Sequence, residues 1–379
     1  MSAFGTNMRE LRQAAGWTLR ELGARANVSH SYLGKMELDQ VSDPTAPTAL
    51  AIDRALSAGG RLAGLACQAP VSDALDVIGD VDPDPSRPLG EADVISMRDR
   101  IWQLVGLDRE AGGDELYRVG LKVLGPARAK LAAGRYATQH EADLRAVVAE
   151  LSQVTAWLAY DADEQSVARR LLDDGVLGAE LAGEERLAWF VRDQRCLQSQ
   201  HLGRPSEALA MADRALADPH TRGRMASISL IRRARALAAL GSTEALPLLD
   251  RARSELAQGM GSADSPWTAW MHTPEQDLHA ALAHSALGLH RQAADLAIRA
   301  INGLPAAQVR DGAVYRAYLV QILTVAGAWE DAIEVLAEMR TRCAQVGSTR
   351  MANLVVASAT RPGTPQPVAE AARAALAVR

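Results

Sequence analysis

One pattern in this 379-residue chain restricts its fold more than any other: a helix breaker, an alanine five residues on and a second small residue seven beyond that, recurring five times. It reads Asp163, Ala168, Gly175, then Gly203, Ala208, Ala215, then Gly241, Ala245, Ala252, then Gly288, Ala293, Ala300, and last Gly327, Ala332, Met339. The third unit is one residue short before its alanine, and the first has aspartate where the others have glycine. Successive breakers stand 40, 38, 47 and 39 residues apart. Glycine turns the chain through backbone angles that other residues avoid, and small side chains let two helices approach. A two-helix unit cannot bury its apolar face alone, so such units must stack into a continuous core. Composition agrees, since 48% of residues are apolar, dominated by Ala and Leu, and only 4% are aromatic. A chain this long exceeds one small core and suits a small domain followed by an extended array.

Upstream of the repeat, apolar residues at three and four spacing predict helices near 94–107, 114–133 and 138–160. Residues 67–93 break that pattern with Pro70, Pro83, Pro85 and Pro88 and carry Asp73, Asp76, Asp80, Asp82 and Asp84, so they read as a linker with a short helical piece around Ala74–Ile78. The DVDPD run at 80–84 lacks the glycine and terminal glutamate of a calcium loop in register. His272, His279, His284 and His290 do not form a metal pattern on one face, and no metal or cofactor is expected. Cys67, Cys196 and Cys343 are odd in number and far apart, which fits packed free thiols. Residues 358–379 form a second break and then an Ala-rich helix, about Ala369 to Leu376, that either caps the array or hangs free. No run approaches the roughly 18 apolar residues of a membrane span, and the start is polar, so a cytoplasmic protein without a membrane partner is expected. GxxxxGK[ST], HExxH and GxSxG are all missing, which argues against an enzyme.

The N-terminal stretch 19–36, LRELGARANVSHSYLGKM, has a different logic. Thr18 with Glu21 forms a capping box for a helix from about Leu19 to Ala26, whose buried face carries Leu22 and Ala26. Gly23 stands where a second helix must cross closely, and Asn27 tolerates a left-handed turn. Val28 fills the corner and Ser29 caps the next helix, on which Leu33 and Met36 point inward and His30, Ser31, Gly34 and Lys35 outward. Met8, Leu11, Ala15, Gly16 and Trp17 supply a preceding helix and its stop, while ALAIDRAL and GRLAGLA supply two following ones. A five-helix domain over residues 1–66, a linker over 67–93, a helical repeat domain over 94–357 and a tail over 358–379 result.

The run from Met8 to Leu56, through RxxRxxxGWTLxEL, VSxSYLxxME and PTALAIDRAL, resembles the XRE class of lambda-repressor-like helix-turn-helix domains. That resemblance implies a second helix lying in the major groove of a double-stranded operator, with His30, Ser31, Gly34 and Lys35 toward base edges. Lys35 can donate to guanine, whereas His30 and Ser31 each donate or accept and fix no base alone. Phosphate anchoring falls to Arg20, Ser29 and Gln40, because Leu19 stands where relatives often carry glutamine. Tyr32 is either a packing residue that offers its hydroxyl to a phosphate or a stacking platform. Arg12 and Glu37 match a pair that forms an internal salt bridge in similar domains. Charges over residues 1–66 nearly cancel, so one copy binds weakly, and a homodimer reading half-sites about 34 Å apart is expected.

The central repeat resembles degenerate tetratricopeptide (TPR) units over roughly residues 145–345, so the fold class is all-α, an HTH domain followed by an α-solenoid. TPR spacing puts Gln153, Trp157, Tyr160 and Asp161 on the inner wall, then Asp193, Gln200 and His201, then Arg232 and Arg235, and later Tyr318 and Gln321. Trp157 and Tyr160 are either core between units or contacts for a peptide or small-molecule effector. Asparagine occurs only at 7, 27, 302 and 353, which argues against the asparagine-lined grooves of peptide-pheromone sensors. Two functions follow from the resemblances: a ligand-gated transcription regulator, or a DNA-binding adaptor whose repeats dock another protein.

Overall fold

The computed structural model describes residues 3–26, 28–38, 44, 46–56, 58, 62, 78, 84, 86–258, 266–268, 270–305, 308–342 and 346–377. These residues form 18 α-helices and two short 3-10 turns, and their one β contact is the isolated bridge Leu89–Tyr136. The chain divides into two compact units, Met1–Asp82 with Arg98–Leu107, and Pro83–Met97 with Asp108–Arg379.

The first unit begins with α1 (Ala3–Ala14), α2 (Leu19–Ala26), α3 (His30–Glu37) and α4 (Ala46–Ala55). Phe4, Met8, Leu22, Leu33, Ala49 and Ile52, the inward positions of four short amphipathic helices, are fully buried together with Leu62. Gly16, at φ +71°, ends α1, and the Trp17 amide donates to the Arg12 carbonyl at 3.0 Å across the stop. A Cβ on Gly23 would lie 2.6 Å from the Val28 carbonyl oxygen, so the α2–α3 corner is closed to any larger residue. Of the expected fifth helix only Leu62 is described; its amide donates to the buried carboxylate of Asp53 at 2.7 Å. Asn27 and the helical piece expected at 74–77 lie outside the described residues.

Helix α5 (Glu91–Ala111) starts three residues before its expected onset, because Asp93 accepts from the Gly90 amide at 2.9 Å and is paired with Arg87. The second unit continues with α6 (Gly113–Ala132) and then helix pairs: α7 (Glu141–Asp161) with α8 (Gln165–Leu181), α9 (Glu185–His201) with α10 (Pro205–Ala217), and α11 (Gly223–Ala239) with α12 (Ala245–Ala257). After them come α13 (Thr273–Ala286) with α14 (His290–Asn302), α15 (Val309–Ala326) with α16 (Trp329–Arg342), and α17 (Thr349–Ala359) with α18 (Gln366–Leu376). All five breakers are left-handed: Asp163 at φ +59°, Gly203 at +67°, Gly241 at +80°, Gly288 at +77° and Gly327 at +75°. Ala168, Ala208, Ala245, Ala252, Ala293, Ala300 and Ala332 are fully buried between helices, whereas Ala215 is half-buried. This unit is a helical solenoid.

Its last pair returns to its first. Gly347 donates to the Ala111 carbonyl at 2.6 Å, Asp114 donates its amide to Gly347 at 2.9 Å, and the Thr349 amide donates to the Asp114 carboxylate at 2.7 Å. Gly112, at φ +79°, makes the approach possible, since a Cβ there would sit 2.6 Å from the Gly347 oxygen. Helix α18 is docked, burying Val368, Ala372 and Ala375 against Leu336, Met339, Met351 and Val355. Among the described residues no helix is long and apolar enough to cross a membrane.

Candidate functional site

Two sets of residues singled out by the sequence lie in different units. In the first unit, α3 is held at its C-terminal end and along its inner side. Thr18 and Glu21 close the capping box of α2, with the Glu21 amide 3.2 Å from Thr18 Oγ1 and the Thr18 amide 2.7 Å from Glu21 Oε2. Arg12 clasps Glu37 in a two-pronged pair, Nε to Oε1 at 2.7 Å and Nη2 to Oε2 at 2.9 Å, and donates Nη1 to the Trp17 carbonyl at 2.7 Å. Leu33 and Met36 are buried beneath. His30 and Lys35 are left exposed on α3, as is Arg20 at the start of α2.

Other members of the expected DNA face behave differently. Ser29 occupies the N-cap position of α3 but makes no side-chain capping bond, so its exposed hydroxyl is a free donor rather than a cap. Gly34 is half-buried, and a Cβ there would touch Leu19 Cδ1 at 3.5 Å, so it lies on the flank toward α2. Tyr32 is half-buried against the core, and burial raises its phenol above the usual value. Arg25 stacks over the Trp17 ring at 4.3 Å. Gln40 and the side chain of Ser31 lie outside the described residues. Arg20, Gly23, Ala24, Val28, Ser29 and His30 line an open concavity between α2 and the start of α3.

In the second unit the first helices of successive pairs bring the inner-wall residues together. Asp193 and Arg232 are buried and committed to one another, Nε to Oδ1 and Nη2 to Oδ2 both at 2.9 Å. Gln200 donates to the Arg232 carbonyl at 2.6 Å. Trp157 and Tyr160 lie with ring centroids 5.5 Å apart, and His201 meets Tyr160 edge-on at 5.2 Å. Trp157 donates its indole N–H to Asp108 at 3.0 Å under the Arg310 guanidinium. Asp161 is fully buried and paired with Arg310 at 3.0 Å and Arg350 at 2.8 Å. Burial alone would raise its carboxyl, and the two arginines hold it below the usual range. Gln153 is buried in α7, while Arg235, Tyr318 and Gln321 are half-buried.

Sequence spacing does not single out Glu275, Arg310, Tyr315 and Arg350 as members of this wall, and it treats His279 only as a metal ligand to be rejected. Arg310 and Arg350 stand 40 residues apart, the length of one unit, which is the available signal. His279 lies between two guanidinium groups, 3.2 Å from Arg232 Nη1 and 3.1 Å from Arg235 Nη1, and its Nε2 is 3.3 Å from Glu275 Oε1. The consistent tautomer carries its proton on Nε2, donates to Glu275 and accepts from Arg235 at Nδ1. Burial, against the Glu275 contact and with the charges of Arg232 and Arg235, brings His279 down to about 4.

No curated protein and no solved structure matches the chain. The first unit's arrangement, a short exposed helix set across another by a closed corner, has a counterpart among protein families. Residues 3–64 match the family model of the helix-turn-helix domain, so this chain carries an N-terminal helix-turn-helix domain, which marks it as a DNA-binding regulator.

Proposed function

We propose that this protein is a cytoplasmic, sequence-specific transcription regulator of the XRE class, without catalytic activity, that binds its operator as a homodimer through α3. Its TPR-like array is read as the part that responds to an effector. The observation that carries this reading is the exposure of His30 and Lys35 on a helix whose inner side is fixed by Arg12–Glu37 and by the Gly23 corner. A helix so held loses little further freedom on entering a major groove, and its exposed donors supply base contacts. Arg20 and Ser29 beside the open concavity suit a phosphate, whose contacts orient the helix without reading sequence.

Selection of duplexes by the purified full chain tests the reading directly. One preferred sequence with two half-sites is expected. Against it, Lys35→Ala weakens binding by about 1–3 kcal/mol and relaxes preference at one position, whereas Arg20→Ala weakens all duplexes alike and shallows the salt dependence by about one phosphate contact. No preference over random competitor DNA refutes it.

A second reading, an adaptor that docks another protein, draws on the exposed Leu177 and Leu181, four residues apart on α8. Capture of a partner that is unaffected by Leu181→Glu counts against it.

A further inference from the structure

Among the arginines on the inner wall of the array, one differs from its neighbours. Arg232 has the carboxylate of Asp193, and Arg310 and Arg350 share that of Asp161. Arg235, on the same helix as Arg232, has no carboxylate within ion-pair distance among the described residues. Its one hydrogen bond goes to the neutral ring of His279 at 3.1 Å. A guanidinium carries five N–H donors, and Arg235 is half-buried, so the donors not used on His279 face accessible space along the wall. Burial depresses Arg235 below the ordinary arginine value, whereas the partners of Arg232 and Arg350 more than reverse the same effect there. A guanidinium with unused donors, no carboxylate partner and one side open to solvent is placed to take an anion from outside.

The surroundings favour a ligand over a structural role. Arg235 lies in the electrostatic reach of Tyr160 and Tyr318. Arg350 is stacked over the Tyr160 ring at 4.8 Å and donates to the Tyr318 hydroxyl at 3.2 Å, so a second guanidinium borders the same place. Arg235, His201, Tyr318 and Trp157 each keep a solvent-accessible edge, so this part of the wall can be reached from outside. The neighbouring acids are committed to other partners: Asp193 to Arg232, Asp161 to two arginines, Glu275 to Tyr315 and His279, and Asp163 to Gln165, Asn353 and, at 3.5 Å, His201.

We infer that the inner wall binds the anionic group of a small ligand, a carboxylate or a phosphate, on Arg235, with Arg350, His201 and the hydroxyls of Tyr160 and Tyr318 around it. This rests on reading the array as an effector-binding domain and names the chemistry that the effector must present. The Trp157–Tyr160 pair beside the anion site offers a flat apolar surface to the rest of the molecule.

Calorimetric titration and thermal melting of the full chain with inorganic phosphate and with citrate, at constant ionic strength against chloride, test the site. At least one of the two anions binds one per chain and raises the melting temperature, and the anion that does so names the source. Arg235→Gln weakens that binding by about tenfold or more, as loss of a charge-assisted donor requires. Arg233→Gln, on the exposed pair with Asp213, binds as the wild type does. If Arg235→Gln does not fold, Arg235→Lys keeps the charge, loses the planar fork and binds several-fold more weakly. The site is refuted by either of two results: neither anion binding, or binding unchanged in the Arg235 variants. Operator affinity measured alongside separates the two claims. Anion binding without any change in operator affinity removes the effector reading and keeps the site, whereas operator affinity that responds to cell extract without anion binding removes the site alone.

Discussion

The guanidinium of Arg12 reaches both oxygens of Glu37 and the Trp17 carbonyl, and so joins the end of α1, the turn after it and the end of α3. Both side chains are largely buried, at 13% and 8% exposure, so removing one partner leaves the other desolvated and unmatched. Arg12→Ala is expected to destabilise the N-terminal unit by about 3–5 kcal/mol, and Arg12→Met with Glu37→Leu together by much less. Denaturant unfolding of the three proteins checks this, and equal losses in the single and the double variant would deny the coupling. Gly23→Ala is expected to cost about 1–3 kcal/mol for a different reason, since its Cβ meets backbone at Val28 rather than a side chain that can move. These contacts were legible in the sequence because each rests on a residue type with one dominant use at its spacing: a capping box, a glycine at a crossing, a long ion pair matched by resemblance. Ser29 shows where such reasoning stops. Serine is right for an N-cap, but its hydroxyl makes no capping bond.

At the scale of elements, the five left-handed turns were readable because only a few residues accept that backbone, and four of the five are glycine. Asp163 is the informative exception. It accepts from Gln165 at 3.0 Å and from Asn353 at 2.6 Å, the latter on α17 at the other end of the array, so the aspartate trades backbone ease for a bond across the return. That return was not legible. Its contacts join residues 111–114 to 347–349, more than 230 positions apart, and no local periodicity encodes which end of an array meets the other. The same gap hid Arg350, whose partner Asp161 lies on a helix that sequence spacing treats as the opposite end. Gly112 is the residue on which the return depends. Gly112→Ala is expected to cost about 1–2 kcal/mol for the left-handed angle alone, with the clash against Gly347 in addition. Hydrogen exchange of the amides of Gly347 and Thr349, which donate to Ala111 and Asp114, should quicken in this variant while exchange in α11 and α12 stays as it was. Uniform quickening throughout the unit would show that the return is not a separate seam.

For the molecule as a whole, the buried wall makes stability depend on pH through two groups that pull in opposite directions. Burial raises Asp108 to about 6, with Arg310 and the Trp157 hydrogen bond opposing and Asp161 adding. A carboxyl with a raised folded-state pKa binds its proton more tightly in the native chain, so its contribution is full below about 4 and is lost as pH rises through 6. His279, brought down to about 4, behaves inversely: the unfolded chain takes up the proton first, and stability falls as pH drops from about 6.5 toward 4. His201, lowered chiefly by burial, adds to the His279 side. Between pH 4 and 6 the two slopes nearly cancel, so the wild-type solenoid should be almost indifferent to pH there. Asp108→Asn removes one slope and exposes the other, and this variant should lose on the order of 3 kcal/mol on acidification from pH 6.5 to 4. His279→Gln should gain stability over the same range, by on the order of 2 kcal/mol. Thermal melts of the full chain at several pH values in this window decide the matter. Curves for the two variants that run parallel to the wild type would mean that neither group titrates in the folded wall, whereas divergence in opposite senses assigns the two slopes to Asp108 and His279.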